Sequence, residues 1–92
     1  MKFDWDPEKN ETNLKKHGVT FEEAETVFED EGAVTIYDED HSEYEDRFKI
    51  IGISRKLREI IVCYCYRNGD EIIRIISARR ATNSEYKLYE RG

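Results

Sequence analysis

The dipeptide Asn68-Gly69 stands between two runs of alternating apolar residues, Glu59 to Arg67 and Glu71 to about Arg79. A type I′ turn needs positive φ at both central residues, which Asn and Gly tolerate best, so the pair predicts an antiparallel hairpin with a two-residue loop. A loop of that length pairs Arg67 with Asp70, Cys65 with Ile72, Cys63 with Arg74 and Ile61 with Ile76. Side chains alternate across a strand, so one hairpin face gathers Ile60, Val62 and Tyr64 with Ile73 and Ile75. That face is the predicted core. The other gathers Ile61, Cys63 and Cys65 around Arg74. An unpartnered guanidinium in an apolar layer is costly, so this second face is thinly covered, supplies a carboxylate, or opens to a ligand.

Ala33 to Tyr37 and Phe48 to Ser54 also read as strands, and four antiparallel strands are the simplest sheet that holds all the runs. Upstream the signals turn helical. Asp6 is placed to cap, Pro7 suits the first helical position, Lys15 and Lys16 the last turn, and Gly18 the stop, which predicts a helix from about Pro7 to Lys16. Thr20 with Glu23 reads as a reciprocal capping box, and Phe21, Ala24, Val27 and Phe28 then share one face of a helix ending near Phe28. With few apolar residues in the chain, that stripe is read as core and not as a partner surface. Thr82 and Glu85 repeat the box ahead of Tyr86, Leu88 and Tyr89, a short C-terminal helix. The predicted fold class is therefore α+β, with two N-terminal helices, a four-stranded antiparallel sheet and a short C-terminal helix. No repeat or linker interrupts it, so residues 1–92 form one domain.

A chain with 39% charged residues could be disordered, but its apolar residues are concentrated between Phe48 and Ile76, where they can be buried together. No apolar stretch approaches the ~18 residues needed to span a bilayer, and Met1-Lys2-Phe3-Asp4-Trp5-Asp6 lacks the apolar run of a signal peptide. Cys63 and Cys65 lie two apart on one strand face, poorly placed to bridge each other, and read as reduced core residues. The expectation is a cytoplasmic chain without a membrane partner. His17 and His41 lack the spacing of a zinc site, so neither metal nor cofactor is expected. The net charge of −6 hides a division: residues 1–46 carry four lysines against sixteen acids, net −12, and residues 47–92 carry eleven cations against five acids, net +6. The basic half can form an electropositive patch for phosphates, or its charges can balance the acidic half. The acidic stretch Asp38 to Asp46 between them reads as a loop.

Three places could carry chemistry. His17 stands at a helix C-terminus, where it can cap or act on a phosphate. Glu45 and Arg47 lie two apart on one side of a strand start, able to face a common site or merely to pair with each other. Arg79 and Arg80 meet a helix N-terminus, itself an anion site, and their guanidiniums point in different directions. Together these suffice for metal-free RNA cleavage, in which the substrate's 2′-hydroxyl attacks the adjacent phosphate. His17 or Glu45 would move protons, and Arg47, Arg79 and Arg80 would stabilise the developing charge. Phosphate-loop, serine-elbow and zinc-protease motifs are missing, and the cysteines sit too deep in a strand for nucleophiles.

Two blocks, Trp5-Asp6 with Lys16-His17-Gly18-Val19, and Arg74-Ile75-Ile76-Ser77-Ala78-Arg79-Arg80-Ala81, resemble the BrnT family of ribonuclease toxins of bacterial type II toxin–antitoxin systems. Lys9, Asn13, Phe21-Glu22-Glu23-Ala24, Val27-Phe28, Asp30, Glu45-Asp46-Arg47, Gly52, Glu85 and Tyr89 extend the likeness almost to the C-terminus. The resemblance implies a RelE-like α+β fold with helices on one side of the sheet and an RNA-facing surface on the other. It implies a metal-independent endoribonuclease that inhibits translation. It also implies a BrnA-like antitoxin with a ribbon-helix-helix part, bound in a hetero-oligomer that reaches DNA only through the antitoxin and represses its own operon. By position it carries over Trp5, Lys16, His17, Glu45, Arg47, Arg74, Arg79, Arg80 and Tyr89 as site candidates, with His17, Glu45, Arg47 and Arg79 catalytic and the others substrate-binding. The rival reading is a non-enzymatic toxin-like module whose arginines serve only as ion-pair partners.

Overall fold

The structure is a computed structural model that describes all 92 residues. In chain order it comprises β1 (Lys2–Asp4), α1 (Pro7–His17), α2 (Phe21–Val27), β2 (Val34–Tyr37), a 3₁₀ turn at Glu39–His41, β3 (Arg47–Ile53), β4 (Glu59–Arg67), β5 (Ile72–Arg80) and α3 (Asn83–Arg91). The helix ends follow from their caps. Asp6 accepts the Glu8 N–H at 2.9 Å, and Gly18, at φ 70°, closes α1 through its N–H to the Leu14 carbonyl at 2.8 Å. At α3 the Thr82–Glu85 box is complete in both directions. At α2 only half of the expected box forms. Thr20 accepts the Glu23 N–H, but the Glu23 carboxylate turns inward to Ser54 Oγ at 2.7 Å and Arg58 Nε at 2.9 Å.

The sheet has five strands in the order β1-β5-β4-β3-β2, with β1 parallel to β5 and the rest antiparallel. This corrects the four-stranded antiparallel expectation. β1 has only three residues, too short for a period to show in the sequence, and tertiary contacts hold it: Phe3 sits edge-on to Phe28 at 5.1 Å and Asp4 pairs with Arg74 at 2.7 Å. The hairpin register is corrected as well. Asn68 and Gly69 both take positive φ, 53° and 69°, but the loop runs over residues 68–71 and the closing pair is Arg67 with Ile72. A shift of two residues preserves the faces, so Ile60, Val62, Tyr64, Ile73 and Ile75 are core as expected.

Farther along, a bulge breaks the ladder: Tyr64 pairs with Ile75 but Cys63 pairs with Ser77, leaving Ile76 as the extra residue. Before the bulge the odd residues of β5 face the core; beyond it the even ones do, and Ala78 lies buried beside Val62. Ser77 and Arg79 are thereby turned to the opposite face.

α1 and α2 cover the core face. Val19, Phe21, Ala24 and Val27 pack against Ile50, Ile60, Val62, Tyr64, Ile73, Ile75 and Ala78, so the α2 stripe is core as predicted. Asn13 reaches the β5 edge beyond β1, donating to the Ala78 carbonyl at 2.7 Å and accepting from its N–H at 3.2 Å. The opposite face is not left free of helices: α3 packs against β3 there, a side chain at Gly92 would strike Val34, and Ile51 is fully buried. The rest of that face stays open. No helix is long and apolar enough to cross a membrane.

Candidate active site

The open part of the second face is a cleft of ≈ 250 Å³ lined by Asp38, His41, Arg47, Lys49, Cys63, Ser77 and Arg79, with Ile61 and Ile76 at its floor. Its cross-strand rows follow from the register. Lys49, Cys63 and Ser77 are neighbours on β3, β4 and β5, Ile51, Ile61 and Arg79 form the next row, and Arg47, Cys65 and Arg74 the row on the other side. Without the bulge at Ile76, Ala78 would stand beside Ile61, and Arg79 would face the core.

The acidic loop between β2 and β3 forms the cleft wall, as a loop expected from its composition. Ser42 Oγ fastens it, accepting the Arg47 N–H at 2.9 Å and donating to the Asp38 carbonyl at 2.5 Å, while the Asp38 N–H reaches the Arg47 carbonyl at 2.9 Å. This fold-back sets the nearly buried Asp38 carboxylate against His41, with Nδ1 at 3.0 and 3.2 Å from its two oxygens. Cys63 Sγ lies 4.0 Å from the same carboxylate. Burial, and after it the charge of Asp38, pushes the Cys63 thiol up, which keeps it a thiol and not a nucleophile.

The cations differ in how they are held. Arg79 makes two 2.8 Å bonds to Glu85 of α3, and this guanidinium draws the Glu85 carboxyl down to about 2. Arg47 makes 3.4 Å contacts with Glu45, which Arg67 engages more closely at 2.6 Å; the Arg67 bond is the main reason that Glu45 is held below the usual carboxylate range. Lys49 has no carboxylate partner. An open cleft with three cations, a hydroxyl and an imidazole suits a phosphodiester and one proton transfer. No three His, Cys, Asp or Glu side chains converge to hold a metal ion.

Of the residues singled out in the sequence, Arg47 and Arg79 line this cleft and Glu45 borders it through Arg47. Arg74 lies in the adjacent row, paired with Asp4 and about a third exposed. The other five stand elsewhere. Lys16 and His17 are exposed on α1 and line no cleft. Trp5 packs on the core with its ring 6.1 Å from Phe21. Arg80 is paired in register with Ile60, on the face opposite to Arg79, and is exposed. Tyr89 donates to Asp30 Oδ2 at 2.9 Å, and Asp30 also accepts from the Ile53 and Gly32 N–H groups, a structural tie between α3 and the end of β3.

Asp38, Lys49 and Ser77 had no site reading in the sequence, His41 was considered only as a zinc ligand, and Cys63, read as a core residue, is instead half-buried and lines the cleft. The Asp-x-x-His spacing, which places both side chains on one side of a turn, was the available signal for Asp38 and His41. Lys49 and Cys63 needed the β3–β4 register, and Ser77 needed the bulge.

The sequence profile of a family described as the ribonuclease toxin, BrnT, of type II toxin–antitoxin systems matches residues 5–85. Among curated protein sequences none matches the chain. The fold is similar to the crystal structure of the Brucella abortus ribonuclease toxin BrnT, with 30% sequence identity and a TM-score of 0.69, covering 90% of this chain and 99% of that one. The match over residues 5–85 takes in α1, α2, strands β2 to β5 and Glu85 at the start of α3, and with them every residue that lines the cleft, and the chain belongs to the BrnT family of ribonuclease toxins of type II toxin–antitoxin systems.

Proposed function

We propose that this chain is an endoribonuclease that cleaves RNA without a metal, by attack of the substrate's own 2′-hydroxyl, in the cleft on the second sheet face. The observation that carries the reading is the convergence of Arg47, Lys49 and Arg79 from two strands on one open cleft that also holds proton-transferring groups. Such cations stabilise the charge that builds on a pentavalent phosphorus, a contribution of about 10²–10³-fold per well-placed donor. Lys49 is free to meet a phosphate at once. The scissile phosphate competes with Glu85 for Arg79, as a second anion at a guanidinium fork does. Unrestrained, the activity arrests translation. A BrnA-like ribbon-helix-helix antitoxin neutralises it by covering the cleft, and the complex represses its own operon through the antitoxin's contact with DNA.

One observation favours the rival module. Each arginine of this face already has a carboxylate partner, Arg47 with Glu45, Arg74 with Asp4 and Arg79 with Glu85. Incubating the purified chain in excess chelator with an RNA oligonucleotide and its all-deoxy counterpart decides between the two. The expected result is cleavage of the RNA alone, leaving a 2′,3′-cyclic phosphate. Intact RNA from folded protein would favour the module, and cleavage of the deoxy strand would exclude the 2′-hydroxyl route.

A further inference from the structure

We propose that the proton-transferring group of this cleft is His41, with Asp38 as its positioning residue; the assignment rests on the ribonuclease reading above. An ionised carboxylate can only accept hydrogen bonds, so the 3.0 and 3.2 Å contacts oblige His41 Nδ1 to carry the proton. Nε2 is then the unprotonated nitrogen of the neutral ring, and it has no hydrogen-bond partner within the chain. The Asp38 side chain is only 4% exposed, and a carboxylate so buried needs a partner; the imidazole is the one charged or strongly donating side chain that reaches it. His41 itself is 62% exposed and lines the cleft beside Arg47, so the ring is held from behind and open in front. The general pattern is an imidazole whose far nitrogen is fixed by a buried carboxylate so that the near nitrogen presents a lone pair.

The other proton carriers fit less well. His17 lines no cleft, and Glu45 is engaged by Arg47 and Arg67, which weakens it as a base. In the proposed step Nε2 takes the 2′-hydroxyl proton as the O2′–P bond forms and the P–O5′ bond breaks. The departing 5′-oxygen is protonated by water, and the imidazolium returns its proton to the hydroxide left behind, so protons and charge balance. Lys49 and Arg79 face the phosphate oxygens across the cleft.

The test compares the full-length chain with His41→Ala and Asp38→Asn on one RNA oligonucleotide, with thermal midpoints recorded. His41→Ala leaves the buried Asp38 carboxylate without its imidazole and should lower the midpoint, so activity is read well below it, where kcat should fall about 10²–10⁴-fold at unchanged KM. Added imidazole should restore part of the loss. Asp38→Asn should lower kcat by roughly tenfold or more at unchanged KM. Imidazole ¹⁵N shifts should show protonated Nδ1 and bare Nε2 in the parent and mixed tautomers in the Asn variant. A His41→Ala kcat within about threefold of the parent would overturn the assignment while leaving the ribonuclease reading intact. A rise in KM without imidazole rescue would make His41 a binding residue and overturn it also, as would the opposite tautomer in the parent. A parent that cuts no RNA would bring down the ribonuclease reading and this assignment together.

Discussion

On the face under α1 and α2, neighbouring side chains across the strands are apolar: Val62 lies beside Ile50 and Ala78, and Tyr64 beside Phe48 and Ile75. On the opposite face the same three strands set Cys63 beside Lys49 and Ser77, and Ile61 beside Arg79. The backbone is shared, so the contrast lies in what covers each face. Two helices exclude water from the first, and burial there supplies cohesion. A single short helix covers part of the second, and its uncovered part keeps charges that a closed core would not tolerate. The buried core and the open cationic cleft are thus separated by the thickness of one sheet.

This separation predicts that substitutions divide by face. Phe21→Ala removes a fully buried ring from the covered face and should destabilise the fold by about 3–5 kcal/mol, read from thermal or urea unfolding. An unchanged midpoint would mean that α2 does not anchor the core. Arg79→Ala on the open face should lower RNA cleavage about 10²–10³-fold, equivalent to ~3–4 kcal/mol in the barrier, while lowering stability by only roughly 1–2 kcal/mol through the lost Glu85 pair. Equal losses of activity and stability would dissolve the contrast.

A smaller effect is expected from pH. The Glu85 carboxyl, ordinarily near 4.5, lies at about 2 in the fold, chiefly through Arg79. A carboxyl depressed on folding contributes stability that is complete above about 4.5 and lost as pH falls toward about 2. The loss should amount to roughly 1–2 kcal/mol, since the half-exposed guanidinium is partly screened by water. Arg79→Ala should flatten that slope in acid unfolding curves, and a slope that persists would assign it to other carboxylates. The smallest change belongs to Arg55→Ala, whose pair with Glu29 is exposed on both sides and should alter stability by no more than about 0.5 kcal/mol. A larger value would show that surface pairing contributes to the fold as the core does.

The readings that succeeded rest on short-range signals. Asp6, Thr20 and Thr82 begin helices because each offers an oxygen to a backbone N–H two or three residues ahead, a relation visible along the chain. The apolar alternation of β4 and β5 assigned the core face correctly even though the pairing was two residues off. The readings that failed required partners distant in sequence. Glu23 satisfies a cap by spacing, yet Arg58 and Ser54 take its carboxylate; burial pushes that carboxyl up, and their hydrogen bonds more than cancel the push, leaving it below the usual range. Tyr89 carried the family resemblance, but it is held by Asp30 and serves the α3 attachment.

For the site, Arg47 and Arg79 were legible and their neighbours were not. Amino-acid order alone determined the three helices, the strand runs and the face that would be buried, because caps and periodicity act within a few residues or between adjacent strands. Tertiary structure decided that β1 joins β5 in parallel, that Ile76 is extruded so that Ser77 and Arg79 turn to the cleft, and that Asp38 and His41 fold back to meet them. A three-residue strand has no period to read. The place where a ladder slips, and the wall against which a loop settles, depend on the packing of every strand around them.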